Sequence, residues 1–135
     1  MFKYSDKVLD HFRNPRNLGE IKNPDGQATV RNPICGDVME MTIKIDQNKE
    51  GEEIVEEIKF KTLGCGAAVA TSSMGTTMIK GKTLEEALEL TNEEVAQALG
   101  GLPATKLHCS NLAVEAIHQA IADYRKKKKK KRKKA

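Results

Sequence analysis

The chain has 135 residues, of which 39% are hydrophobic and only 4% aromatic, with no Trp. That size holds one small domain with an aliphatic core. No run of about 18 apolar residues exists to make a membrane-spanning helix, the opening residues lack the apolar stretch of a secretory signal, and three cysteines make no disulfide framework. The net charge of +4 comes from the end: residues 125–134 hold ten of the 23 Lys and Arg, leaving 13 basic against 19 acidic side chains in 1–124, a net of −6. A cytoplasmic acidic domain over 1–124 with a basic, disordered tail at 125–135 is therefore expected.

In chain order, Ser5–Phe12 reads as a short amphipathic helix, with Ser5 as its cap and Val8, Leu9 and Phe12 on one face. Asn14-Pro15 ends it, and a turn-rich stretch follows through Gly19, Pro24 and Gly26. Residues 28–31 are a short strand. Residues 39–45 alternate Met39, Met41, Ile43 and Ile45 with polar partners, and residues 54–62 repeat the pattern with Ile58, Phe60 and Thr62. The polar connection 46–53 suits a hairpin. From residue 67 the period becomes helical, with Ala67, Ala70, Met74 and Met78 leading to a stop at Gly81. Thr83–Glu86 and Thr91–Glu94 both fit a capping box, the second short helix ending at Gly100-Gly101. Residues 110–124 place Ala113, Ala116, Ile117, Ala120, Ile121 and Tyr124 on one stripe. Strands first and helices after predict an α+β domain: a three-stranded antiparallel sheet with helices packed mainly on one face.

The cysteines carry the chemistry. Cys35, Cys65 and Cys109 are separated by 30 and 44 positions, so no local zinc knuckle forms. Each falls at a junction between elements, and two lie beside glycine, which removes bulk next to the sulfur. Cys65 and Cys109 are expected at helix N-termini, where partial positive charge favours the thiolate. His108 adjoins Cys109, and Asp37 follows Cys35 by two residues. Three sulfurs plus one nitrogen or carboxylate oxygen make a tetrahedral set suited to zinc or iron. A single cysteine is more often a small buried hydrophobe; three at element boundaries, converging at one accessible rim, read as a metal or sulfur site.

The motifs NP-x-CGD at 32–37, GCGAAVATSS at 64–73 and K-x-HCSNLA at 106–113 resemble the IscU scaffold of iron–sulfur cluster assembly, found also as the N-terminal part of NifU. YSDKVLDHFRNPRNLG at 4–19, GGLP at 100–103 and the AIADY ending carry the same resemblance. It implies a scaffold and not a turnover enzyme: sulfur arrives as persulfide from a cysteine desulfurase, electrons come from a ferredoxin-type donor, and a [2Fe–2S] cluster is built and passed to apo-proteins. The resemblance implies Cys35, Cys65 and Cys109 as ligands, His108 or Asp37 as the fourth, Cys109 as persulfide acceptor and Lys106 in a supporting role. Asp37, a hard oxygen donor, is expected to make the cluster labile.

Two features depart from the family pattern. Residues 102–106 read LPATK where many bacterial members carry Leu-Pro-Pro-Val-Lys, the segment gripped by a specialised chaperone; Ala104 and Thr105 argue against chaperone dependence, while Lys106 survives. The Lys-rich tail is also absent from the pattern. A related branch, the SufU type, has an insertion between its second and third cysteines, lacks the histidine beside the third, and works as a zinc-dependent sulfurtransferase. The 44-residue gap and His108 favour the scaffold branch, although zinc fits the same ligands. Exposed sites on a small domain allow a homodimer on cluster binding. The tail has no interleaved aromatic and follows no nucleic-acid motif, so a solvated extension is expected and not a nucleic-acid interface. His11 and His118 read as structural.

Overall fold

A computed structural model describes residues 5–33, 36–64, 66–101 and 107–134, with only the backbone of 107–110 and 130–134. The elements are α1 (Asp6–Arg13), β1 (Gly26–Arg31), β2 (Val38–Gln47), β3 (Glu53–Leu63), α2 (Gly66–Ile79), α3 (Leu84–Leu88), α4 (Asn92–Ala98) and α5 (Leu107–Lys134). The strands form one antiparallel sheet in the order β1-β2-β3.

Local signals placed these elements. Ser5 caps α1 by accepting the Val8 N–H. Thr83 and Thr91 each complete a capping box, with Glu86 and Glu94 reaching back to the cap backbone. At the β2–β3 turn Asn48 Oδ1 accepts the Glu50 and Glu52 N–H groups, and Gly51 takes φ +80°, a value glycine tolerates without a Cβ clash.

The alternating strand residues Met39, Met41, Ile43, Ile58 and Phe60 are fully buried, and each such side chain removed from water stabilises the fold by roughly 1.5–3 kcal/mol. On β3 the core continues at Val55, three residues before Ile58. A register shift between Lys44 and Ile45 changes the phase there. Helices α2 and α5 supply the opposing wall, including Ala70, Ile79, Leu112, Ile117 and Ile121. The turn-rich segment after α1 reaches the other face, where Ile21 donates its N–H to the buried Thr42 hydroxyl, and pairs along the free edge of β3, Asn17 O accepting the Phe60 N–H and the Gly19 N–H donating to Phe60 O.

On α1 the structure differs from the sequence reading. Val8 is buried as expected, but its companion is His11, and Phe12 stands 49% exposed. The imidazole turns inward because Ser73 of α2 meets it: His11 Nδ1 lies 2.7 Å from Ser73 Oγ. The predicted boundary at 124 marks no break in secondary structure, since the α5 backbone runs on as helix to Lys134. At the root of this extension Tyr124 bonds Glu53, Lys128 pairs with Glu53 at 3.0 Å and Arg125 with Glu85 at 3.1 Å. These pairs are partly or largely exposed and stabilise little. Among the described residues, no helix is long and apolar enough to cross a membrane.

Candidate functional site

Pairing places the functional segments. Val38, the first residue of β2, is opposite Leu63, the last of β3, and the Thr62 hydroxyl donates to the Val38 carbonyl at 2.8 Å. The loop before β2 and the loop after β3 therefore leave the sheet side by side at one end. Arg31 of β1 pairs with Val38 at that same end. The loop joining β1 to β2 is shaped by Gly36, whose N–H donates to Asn32 O while Asn32 N–H donates to Asp37 O, both at 2.9 Å; Gly36 holds φ +78°.

Helix α5 points its start toward this end. Gly26, paired with Ile43, is crossed by the α5 backbone at Ala120; further along, Tyr124 and Lys128 reach Glu53, which is opposite Gln47. The helix thus travels along β2 from the level of residue 43 toward that of residue 47. Followed back from Ala120 to its first turn it covers roughly 15–20 Å at 1.5 Å per residue. The five strand steps from Ile43 back to Val38 cover roughly 17 Å. The first turn of α5, which contains Cys109 in its sequence, therefore lies back from Ala120 in the direction of the Val38–Leu63 end.

The described residues here are closely packed. The Asp37 carboxyl lies against Gly64: a Cβ at Gly64 would fall 2.9 Å from Asp37 Cγ and Oδ2 and 3.2 Å from Ala68 Cβ. On the other side of Cys65 in the chain, a Cβ at Gly66 would fall 3.0 Å from two carbons of the Phe12 ring. The two glycines bracketing Cys65 are thus sites of close approach, one by a carboxylate and one by an aromatic ring. Leu63, 76% exposed, borders this end. Leu63, Val38, Leu18 and Thr62 line an open groove of about 530 Å³ with Lys61 and Glu40 at its edge.

Of the predicted site residues, Asp37 is the one whose side chain the structure describes, and it is half-buried beside Gly64. Cys35, Cys65 and Lys106, with the LPATK segment, lie outside the described residues, as do the side chains of His108 and Cys109. Among the described residues no three His, Cys, Asp or Glu side chains form a metal-holding group. His11 is buried with Ser73, and burial together with the nearby Arg16 charge lowers its pKa, Asp10 opposing. His118 Nε2 is buried without a hydrogen-bond partner among the described residues, on the α5 face shared with Glu115. Sequence reading took Phe12 for a core-facing residue and missed its place over Gly66; the Gly-Cys-Gly run was the available signal, because it leaves room for a neighbour on both sides.

The sequence model of the NifU-like N-terminal domain matches residues 3–131. The chain belongs to this family. Members of the NifU-like family similar to this chain include "Iron-sulfur cluster assembly scaffold protein IscU 1" of Archaeoglobus fulgidus, 59% identical over 124 residues, which cover 92% of this chain and 78% of the relative. The scaffold protein IscU of Escherichia coli is 50% identical over 128 residues, covering 93% and 96%. Among solved structures, a putative scaffold protein for the SUF system from Fervidobacterium islandicum superposes with a TM-score of 0.68 at 20% identity, covering 87% of this chain and 96% of that one. The N-terminal part of a NifU-like protein from Brucella abortus gives 0.67 at 17% identity, covering 91% and 94%. At those identities the superpositions establish the NifU-like fold: a three-stranded antiparallel sheet with helices.

Proposed function

We propose that this chain is an iron–sulfur cluster assembly scaffold that builds [2Fe–2S] clusters in the cytoplasm and hands them to apo-proteins, without turnover chemistry of its own. The observation that carries this reading is identity of 50–59% to named IscU scaffold proteins over more than 90% of the chain, a span that includes all three cysteine motifs. The sheet-end geometry supports it, because the loops before β2 and after β3, far apart in sequence, leave the sheet side by side.

In this reading Cys35, Cys65 and Cys109 hold the iron, with Asp37 or His108 as the fourth donor. The Cys109 thiolate, in the first turn of α5, attacks the outer sulfur of a desulfurase persulfide; the new S–S bond forms as the desulfurase thiolate leaves. Two electrons from a ferredoxin-type donor then cleave that bond and release sulfide to iron. Lys106 adds positive charge near the anionic sulfur. Helix N-termini at α2 and α5 favour the thiolate form at Cys65 and Cys109. The working unit is residues 1–124, with 125–135 as a solvated basic extension; removing residues 129–135 is expected to leave cluster assembly unchanged.

Anaerobic reconstitution with iron, cysteine, a cysteine desulfurase and reductant tests the proposal. Visible absorbance with about two irons and two sulfides per site, transferable to an apo-ferredoxin, is expected. Sulfur turnover with tightly retained zinc and no absorbance would instead identify a SufU-type sulfurtransferase.

A further inference from the structure

The two edges of the sheet are finished differently. Along β3 the outer backbone groups are covered at two points: Asn17 and Gly19 take the N–H and O of Phe60, and Lys82 and Gly81 take those of Val55. Thr83 adds a bridge to Ile54. The other edge is β1, whose pairing with β2 is regular from Gly26 to Arg31. Just past its end, the Asn32 N–H turns to the β2 side and bonds Asp37 O. The Gln27 N–H points the other way, off the sheet, to Asp123 Oδ2 at 3.0 Å. Strand alternation therefore turns the backbone groups of Thr29 and Arg31 outward with those of Gln27. Among the described residues nothing bonds the outward groups of Thr29 and Arg31. Gln27, Thr29 and Arg31 are exposed, and no proline, lysine or bulge blunts the strand.

We propose that β1 is a strand-addition edge whose occupant is β1 of a second copy of this chain, joined antiparallel about a two-fold axis at Thr29 into a six-stranded sheet. The edge matches itself. Thr29 N–H and O meet their own counterparts, and each Arg31 N–H meets a Gln27 O across the axis, while the Gln27 N–H stays with Asp123. Both free donors of the edge are then used. Thr29 faces Thr29, a favourable cross-strand pair, and Arg31 faces the neutral Gln27, so no like charges are directly opposed. The register also carries the Arg31 cation, which has no ion pair among the described residues, toward the Asp123 carboxylate. Asp123 already pairs with Lys127 at 3.0 Å, so this contact adds orientation more than affinity. Beside the edge an open groove of about 330 Å³, lined by Gln27, Ala28, Gln119, Ala122, Asp123 and Lys126, has room for the second copy's near surface. Three exposed strand positions make a small interface, of the weak and concentration-dependent class. The inference is independent of the scaffold reading and of the cysteines.

Sedimentation velocity of the reduced, metal-free protein at rising concentration tests this, since without metal no cluster can bridge two copies. The mass is expected to move from one chain toward two. Thr29→Pro deletes an N–H that β2 does not use; it is expected to hold the protein at one chain with its thermal midpoint nearly unchanged. Thr29→Val keeps that N–H and is expected to dimerise still. A single-chain mass at every concentration, a dimer that survives Thr29→Pro, or a dimer lost equally in Thr29→Val overturns the proposal. Should Thr29→Pro fail to fold, amide exchange in the unsubstituted protein decides. The Thr29 and Arg31 N–H groups are expected to slow severalfold as concentration rises, and the Gln27 N–H, already held by Asp123, to change less. Exchange at Thr29 and Arg31 that does not depend on concentration overturns the pairing.

Discussion

The Asp37 carboxyl and the Gly64 backbone are in contact across the end of the sheet, so close that any side chain at residue 64 would overlap Asp37 Cγ and Oδ2 at 2.9 Å. The contact follows from the Val38–Leu63 pairing, which sets the residue before β2 against the residue after β3. Gly64→Ala should therefore displace Asp37. Overpacking of this kind costs about 1–3 kcal/mol, and a lowered denaturation midpoint together with an altered cluster lifetime is the expected result.

Asp37→Ala leaves Gly64 uncrowded and removes the hard oxygen donor. If Asp37 keeps the cluster labile, the substitution slows loss of visible absorbance and transfer to an apo-ferredoxin. Decay at the unsubstituted rate would assign the fourth position, or the lability, elsewhere.

Acid should weaken the fold through His11. Burial, then the Arg16 charge, lower its pKa in the folded state from the ordinary 6.5, with Asp10 opposing. The unfolded chain takes up a proton near 6.5 while the folded chain resists, so this contribution is complete above that value and is lost as pH falls below it. The thermal midpoint should drop between pH 7.5 and pH 5.5. His11→Gln, which cannot titrate, should flatten that part of the profile.

Gly26 is a point of close approach between β1 and α5. A Cβ there would overlap the Ala120 carbonyl and press on Tyr124 and Ile43 at 3.0 and 3.1 Å. Because the obstacle is helix backbone, Gly26→Ala must push α5 off the sheet and should cost about 3 kcal/mol, the upper range for overpacking. Urea denaturation would show this as a lower midpoint. Gly51→Ala, at a turn with open space but φ +80°, should cost only about 1 kcal/mol through backbone strain.

Much of the fold was legible because its causes are local. Alternation announced β2 and β3, the two Thr-x-x-Glu boxes announced α3 and α4, and a stripe of Ala and Ile announced α5; each depends on residues within a few positions of one another. The three cysteine motifs were likewise legible as short strings, and with them the family. The register shift at Lys44 was not, since a bulge is a property of two strands together.

What the amino-acid order determined on its own was the set of elements and the donor types available: thiolates, one imidazole and one carboxylate at element boundaries. Which side chain of α1 faces inward was decided by Ser73, sixty-two residues away, and sent His11 into the core and Phe12 over Gly66. The meeting of Asp37 with Gly64 and of Gly26 with Ala120 likewise needed strands and helix in register. Those contacts depend on distances between segments remote in the chain, and only packing of the whole domain sets such distances.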